Sequence, residues 1–435
     1  MNRNLHILIS IATLFGCTGA PDTKKSVAGQ SSPADSTLIN TQHLDHLYTP
    51  VTFKNGVKAA GIYIYSEAPD YKLVTDSDEG FTCVDDVSRA ALFYLRNKTF
   101  LSDTAIQNKA ASLVNFVLQM QAANGYFYNF LLPGDTINTT HETSRAEGGW
   151  WSWRALQTLT EAMPLLKKVD ATLAQKTEAS IERLLVNIKS DMVEIPKTTK
   201  MVNGVMVPQW LPAGSGTDQA AILILGLINY CAQNDDAVLK KYIRKLADGI
   251  VLMQQTDKTQ KPHSFFLSWE NTWHAYGSDQ AYALMKAGSF LKDSSYIKKA
   301  LAEVDHFYPW LLNSGMKSSF SLKKDKNRLT LANEQQFAQI AYGIRPMIFA
   351  ALEAYDITAN EKHMVVAVEL AGWFSGKNDA GKVMYDKNTG RCLDGIIGPN
   401  QVNKNSGAES TIEALLALQR LEQYLDARKS PDKYE

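Results

Sequence analysis

The chain has 435 residues, 45% of them hydrophobic, and its 45 basic side chains are matched by 45 acidic ones at a pI near 7.1. That length and composition describe a globular protein with ample core, and the balanced charge excludes the basic footprint of a nucleic-acid binder. Length alone would allow two or three domains.

At the start, Met1-Asn2-Arg3-Asn4 is a short basic head and residues 5–15 are an apolar stretch too short to span a bilayer. Together they read as an export signal. Leu14-Phe15-Gly16-Cys17 resembles the lipobox of bacterial lipoproteins. That resemblance implies cleavage before Cys17, acylation of Cys17 as the new first residue, and a membrane anchor of more than one acyl chain. Thr18 after the cysteine, rather than Asp, looks like the pattern sorted to an outer membrane. The implied place is the cell envelope, facing the periplasm or the outside. The alternative is an ordinary secretory signal in which the cysteine has no special role.

Residues 18–40 hold Pro21, Pro33, several serines and threonines and almost no bulky apolar side chain, the composition of a tether. Residues 41–430 then read as one domain. Within 41–80, Gly61-Ile62-Tyr63-Ile64-Tyr65 fits a short strand. Asp76-Ser77-Asp78-Glu79 is acidic enough to suggest a cation but lacks the spacing of a calcium loop, so a solvated turn is expected. With Cys17 set aside, Cys83, Cys231 and Cys392 allow at most one disulfide in an oxidising compartment. Buried thiols fit better, and none has zinc spacing. No metal or cofactor is implied, and a monomer is expected.

From residue 81 onward, a unit of acid first and apolar helix second recurs six times. Phe81-Thr82-Cys83-Val84-Asp85-Asp86 leads a run to Leu95, and Ala146-Glu147-Gly148-Gly149-Trp150-Trp151 precedes residues 155–163. Gly216-Thr217-Asp218, Gly277-Ser278-Asp279 and Gly407-Ala408-Glu409 open runs to Tyr230, Leu291 and Leu425, and Ala332-Asn333-Glu334 precedes a run to Tyr355. An acid at a helix start caps an orphan N–H and meets the positive end of the dipole, worth about 0.5–2 kcal/mol, so structure alone accounts for each. Residues 220–228 are apolar on every face, which marks a helix buried all round.

Between these runs lie stretches at 105–121, 171–189, 237–255, 295–312 and 361–374 that mix charged and apolar residues at helical spacing. Each has one wet face, so an inner helix alternates with an outer one. Inner-to-outer turns are short, whereas outer-to-inner connections run for about twenty to thirty residues. Every long loop and every inner N-terminus, with its acid, thus falls on one rim. Six such hairpins around a common axis make an all-α (α/α)6 barrel or toroid, with short strands in its rim loops. Over about residues 80–427 the chain resembles the six-hairpin glycosidase superfamily in helix count, repeat length and Gly-x-acid openings. That resemblance specifies architecture and leaves the activity open.

The long loops are rich in aromatic residues. Tyr126-Phe127-Tyr128, Trp150-Trp151-Ser152-Trp153, Trp210, Phe265-Phe266 and the run from Trp269 through Trp273, His274 and Tyr276 all fall on or beside the rim. Flat rings beside Asp, Glu, Asn and Arg suit a sugar, which has an apolar C–H face and a belt of hydroxyls. Loop packing accounts for about half of them.

Glycoside cleavage uses two carboxyl groups, one kept protonated and one ionised, about 5 Å or about 6.5–9.5 Å apart according to stereochemistry. Glu147, flanked by Trp150 and Trp151, is the candidate general acid, since indole rings would desolvate it. Asp86 is the candidate base, with Asp85 as the helix cap and Arg89 holding it ionised. Asp218, Asp279 and Glu409 come next. Arg89, His141, Arg145, Trp150, Trp151, Trp210, Trp269, Trp273, His274 and Tyr276 are the candidate contacts to an oligo- or polysaccharide.

A polysaccharide lyase, abstracting a proton beside a uronate with His or Tyr, is the second reading. His141, Arg145 and His274 supply the residue types. An epimerase on the same barrel is disfavoured by the export signal. A terpenoid cyclase is disfavoured by that signal and by the lack of Asp-x-Asp-Asp. The non-enzymatic alternative is a glycan-binding lipoprotein.

Overall fold

The computed structural model describes residues 37–325 and 328–429; the export signal, Cys17 and most of the tether lie outside the described residues. The described chain opens with a short α1 (Gln42–Leu47) and then runs through helical pairs. These are α2 (Val84–Leu95) with α3 (Thr104–Gln119), α4 (Trp150–Val169) with α5 (Ala171–Glu194), and α6 (Thr217–Cys231) with α7 (Ala237–Leu252). α8 (Gln280–Leu291) with α9 (Ser294–Ser314) and α10 (Ala341–Thr358) with α11 (Glu361–Ala371) follow, and α12 (Ala408–Lys429) ends the described chain.

The even-numbered helices from α2 to α12 touch their neighbours in sequence, and α12 touches α2, so they close a ring. Each helix from α3 to α11 with an odd number packs outside the helix before it. The burial pattern follows the residue pattern: Ile222, Leu223, Ile224 and Leu225 are all buried although they point in successive directions around α6. Gly226 lets α6 approach α4, since a Cβ there would lie 3.0 Å from Leu156 Cγ and 3.1 Å from Gln157 N.

The sixth pair departs from expectation. No outer helix follows α12 among the described residues, and α1, from the other end of the chain, packs against α12. Leu44 and Leu47 of α1 are buried there. Leu38 N–H donates to Glu422 Oε1 at 2.6 Å and Asn40 N–H to Tyr385 Oη at 3.0 Å. Residues 38–40, read as tether, are therefore packed on the ring.

Capping divides the helices into two classes. Asp103, Asp170, Asp236, Asp293 and Asn360 cap the five outer helices with side-chain oxygens. By contrast, α4, α6, α8 and α10 receive no side-chain cap, and α2 is capped by Cys83 Sγ rather than by Asp85. The expected capping role of Asp85, Glu147 and Asp279 is thus corrected, whereas Asp218 Oδ1 accepts from the N–H of Gln219 at 2.6 Å without acting as the N-cap. Glu334 departs further: it lies in the strand Arg328–Gln335, paired with Lys317 at 3.3 Å, and α10 starts later at Ala341.

The strands are short and sit in the connections. Thr272–His274 pairs with Ser319–Asp325, which pairs with Arg328–Gln335, a three-stranded antiparallel sheet. The expected strand at 61–65 is split between Lys58–Ile62, paired with Tyr48–Thr52, and Tyr65–Glu67, paired with Lys72–Val74. Asp76 Oδ1 accepts from the N–H groups of Asp78 and Glu79, so that acidic run is a solvated turn. Cys83, Cys231 and Cys392 are free and buried.

Candidate active site

Residues of all six inner segments converge. Arg89, Arg154, Leu225, Arg345 and Glu413, from five inner helices, and Asp279, just ahead of α8, line one cavity inside the ring. Arg89 is its hub: its terminal nitrogens meet Asp86 at 2.6 Å, Asp85 at 3.1 Å, Glu409 at 3.2 Å and Glu413 at 3.0 Å. Glu413 also meets Arg345 Nε at 2.6 Å, and Arg345 grips both oxygens of Asp279, at 2.6 and 3.2 Å. Arg154 Nε lies 2.5 Å from Asp85 Oδ1, and its Nη2 donates to Tyr342 Oη. The Tyr342 ring has the guanidinium carbons of Arg154, Arg89 and Arg345 at 4.9, 5.2 and 5.6 Å from its centre.

Arginine planes saturated by carboxylates explain how this much charge is buried at all. Burial pushes Asp86 up, against the opposing charge of Arg89. Burial works on Glu413 in the same direction, but the charges of Arg345, Arg89 and Arg154 outweigh it and hold the group below its ordinary value. Glu409 is pushed up to about 7, first by burial of its carboxyl, with Arg89 opposing and Asp86 and Glu413 adding to the rise. Its side chain is nevertheless 42% exposed, and that of Asp85 is 23% exposed. Asp86, Asp279 and Glu413 are closed off, so Asp85 and Glu409 are the carboxylates this cluster presents to solvent.

A second group adjoins it. His274, at the end of the strand Thr272–His274, has Nε2 3.1 Å from Asp218 Oδ2 and Nδ1 2.8 Å from Tyr276 O. Its ring stacks on Tyr276 at 3.7 Å and 9°. The chain then turns at Gly277, with φ +64°, where a Cβ would lie 2.8 Å from Tyr342 Oη and 2.9 Å from Trp150 Cη2. That close approach sets the His274–Asp218 pair beside the arginine cluster, with Tyr276 45% exposed between them and solvent.

The remaining candidates scatter. Glu147 is exposed, and Trp151 is buried with Nε1 donating to Phe127 O and Arg145 O, so indole rings do not enclose the Glu147 carboxyl. Trp150 is half-buried against Arg154. Trp210 is buried beneath α7, donating to Lys245 O at 2.9 Å. Trp273 is 1% exposed, packed on Phe320 and Phe307, whereas Trp269 is 45% exposed. His141 binds Thr143 Oγ1 and stands edge-on to Phe130; Arg145 is exposed.

No family model matches the chain, and no curated protein matches its sequence. Solved structures do match. A sugar epimerase from a ruminal bacterium aligns with TM-score 0.61 at 11% identity, over 89% of this chain and 96% of that one. Cellobiose 2-epimerase from Bacillus thermoamylovorans aligns with TM-score 0.58 at 12% identity, over 83% and 92%. A GH76 α-mannanase from Bacteroides thetaiotaomicron aligns with TM-score 0.52 at 12% identity, over 80% and 88%.

The fold is an (α/α)6 toroid. At such identities the likeness carries the fold alone, and the chemistry has to come from the side chains. The toroid's axis holds Arg154, Tyr342, Arg345 and Glu413, none of which the sequence reading singled out. A signal was present: Arg345 and Glu413 are charges inside otherwise apolar helices, and a charge so placed is buried only with a partner.

Proposed function

We propose that the open end of the toroid is the active site of a carbohydrate-active enzyme that hydrolyses glycosidic bonds, with Glu409 as proton donor and Asp85 as the partner carboxylate. The observation that carries this reading is geometric: Glu409 Oε2 and Asp85 Oδ2, the carboxylates of the cluster that reach solvent, both meet the Arg89 guanidinium, at 3.2 and 3.1 Å. Burial and the neighbouring charges of Asp86 and Glu413 push Glu409 up, the direction a proton donor to a glycosidic oxygen needs. Asp85, fixed between Arg89 and Arg154, offers an oxygen on the same guanidinium that Glu409 touches. Two carboxylates on one guanidinium are at most about 9 Å apart, inside the limit of about 9.5 Å for pairs that cleave glycosides. The exposed rings of Trp269 and Tyr276 suit sugar rings. Epimerases and a mannanase on the same fold also act on sugars.

A second reading rests on His274. Its contact with Asp218 and its stacking on Tyr276 suit proton transfer at carbon, as in a lyase or an epimerase. An oligosaccharide panel separates the two. New reducing ends, lost in Glu409→Gln, support hydrolysis. Absorbance of an unsaturated sugar, or solvent deuterium entering a sugar of unchanged length, would replace hydrolysis with the His274 route. Binding without turnover would leave a display role.

The Cys17 anchor is likewise a proposal. Cys17→Ala should release the protein from the membrane fraction, and retention there would overturn it.

A further inference from the structure

Glu303, on α9, is a buried acid that neither polar group of the site uses. Its Oε1 accepts from Phe266 N–H at 2.9 Å and its Oε2 from Tyr308 Oη at 3.3 Å. Among the described residues no cation meets it. The charged side chains that reach α9 from the elements packed on it do so elsewhere on the helix: Arg244 meets Asp293, Asp248 meets Tyr296, and Lys362 and His363 meet Asp305. Arg345 is engaged by Asp279 and Glu413, and Lys286 by Glu353. In the facing loop, His263 lies against His306 with ring centres 5.0 Å apart. Glu303 is thus a carboxyl held by neutral donors alone. Burial pushes it up to about 8, with the two hydrogen bonds opposing, so it is protonated at neutral pH.

The backbone that Glu303 holds also seats the second polar group of the site. Gln254 Nε2 ties Ser264 O and Lys299 O together, at 3.0 and 2.8 Å, which lays residues 264–268 along α9. Two residues beyond Phe266, Ser268 O accepts from Thr217 N–H at 2.9 Å, at the start of α6 and next to Asp218. Ser268 Oγ donates to His274 O at 3.2 Å and accepts from His274 N–H at 3.1 Å. Residues 266–268 therefore have Glu303 on one side and both His274 and the Asp218 turn on the other.

We propose that Glu303 is a pH latch: its protonated form keeps residues 264–268 closed on α9, and its ionisation favours an opening that loosens the seat of His274 and Asp218. A neutral acceptor would serve Phe266 N–H equally well; a carboxyl adds the titration. The sign follows from linkage. Opening would return Glu303 to water and to its ordinary value near 4.5, so the open form gains weight as pH rises from about 4.5 to about 8 and levels off above. The latch does not depend on which reaction the site performs.

Hydrogen–deuterium exchange of the full chain, free of substrate, tests it in wild type and Glu303→Gln between pH 6 and 9. The ratio of the two rates cancels the intrinsic pH dependence of exchange. Over residues 264–276 that ratio is expected to rise about tenfold or more from pH 6 to about 8 and then level, through an opening that low urea does not accelerate. A flat ratio overturns the latch. So does a rise confined to urea-sensitive exchange shared by all the helices, which would place Glu303 in global stability alone. Should Glu303→Gln fail to fold, Tyr308→Phe takes its place: it removes a donor to the ionised carboxyl, so the levelling of wild-type exchange, corrected for the intrinsic rate, should move to higher pH. A levelling point that does not move would overturn the proposal.

Discussion

Glu413 Oε1 lies 3.0 Å from Arg89 Nη1, and this contact ties the last inner helix back to the first, which the chain does not join directly. The other oxygen reaches Arg345 at 2.6 Å, so one wholly buried carboxylate joins α12, α2 and α10. Removing one member of a buried, hydrogen-bonded ion network costs about 3–5 kcal/mol. Glu413→Gln is expected to lose that much in urea unfolding at pH 7; a loss below about 1 kcal/mol would show that the network does not hold the ring closed. The pH dependence has a definite sign. The folded value of Glu413 is depressed, so its stabilisation is present above its unfolded value near 4.5 and is lost as pH falls through the lower folded value. The gap between wild type and Glu413→Gln should therefore narrow in acid.

Glu409 runs the other way. Its folded value is raised to about 7, so between about pH 4.5 and 7 the folded chain keeps a proton that the unfolded chain has released. Stability from this group falls as pH rises through that window, by an amount that its partial exposure reduces. If Glu409 is the proton donor, kcat/KM falls as pH rises past about 7. Glu409→Gln should remove that limb and lower kcat by about 10²–10⁴-fold. A limb that survives the substitution assigns the proton to another group.

Much of the toroid was legible because inner helices that are apolar all round and outer helices with one wet face differ in residue pattern, and that difference survives in any folded context. The rim also followed from loop lengths alone. What local pattern does not encode is which charges meet: Arg345 and Glu413 are 68 positions apart and Arg89 and Glu413 are 324 apart. Aromatic residues in a rim loop look alike whether they cover the core, as Trp273 does, or face solvent, as Trp269 does. Glu147 was singled out for its tryptophan neighbours, yet Trp151 turns inward to two carbonyls and leaves that carboxyl in water.

Gly277 is where the two polar groups of the site are brought together. A side chain there would need both a left-handed backbone, at φ +64°, and space held by Tyr342 Oη and Trp150. Gly277→Ala is expected to cost about 1–3 kcal/mol from the backbone alone. Because relief requires the loop to lift, the variant should also lose turnover out of proportion to its stability at assay temperature. Unchanged kcat in a folded Gly277→Ala would show that the close approach of this turn to Tyr342 and Trp150 is dispensable.

Trp269 and Trp273 sit four residues apart and test the two roles of the rim aromatics directly. Trp273 is 1% exposed, stacked 4.9 Å from Phe320 and edge-on to Phe307 at 5.1 Å, so truncation to Ala opens a cavity worth about 3–5 kcal/mol. Trp269 is 45% exposed, and its indole makes one hydrogen bond, to Ala213 O at 3.2 Å. Its truncation should shift stability by under about 1 kcal/mol, the net value of such a bond. A sugar platform, however, should raise KM by about tenfold through lost stacking of about 1.4 kcal/mol, with kcat little changed. Thermal denaturation and steady-state kinetics on both variants check this. A Trp269→Ala that binds oligosaccharide as tightly as wild type would remove the aromatic argument for a carbohydrate substrate.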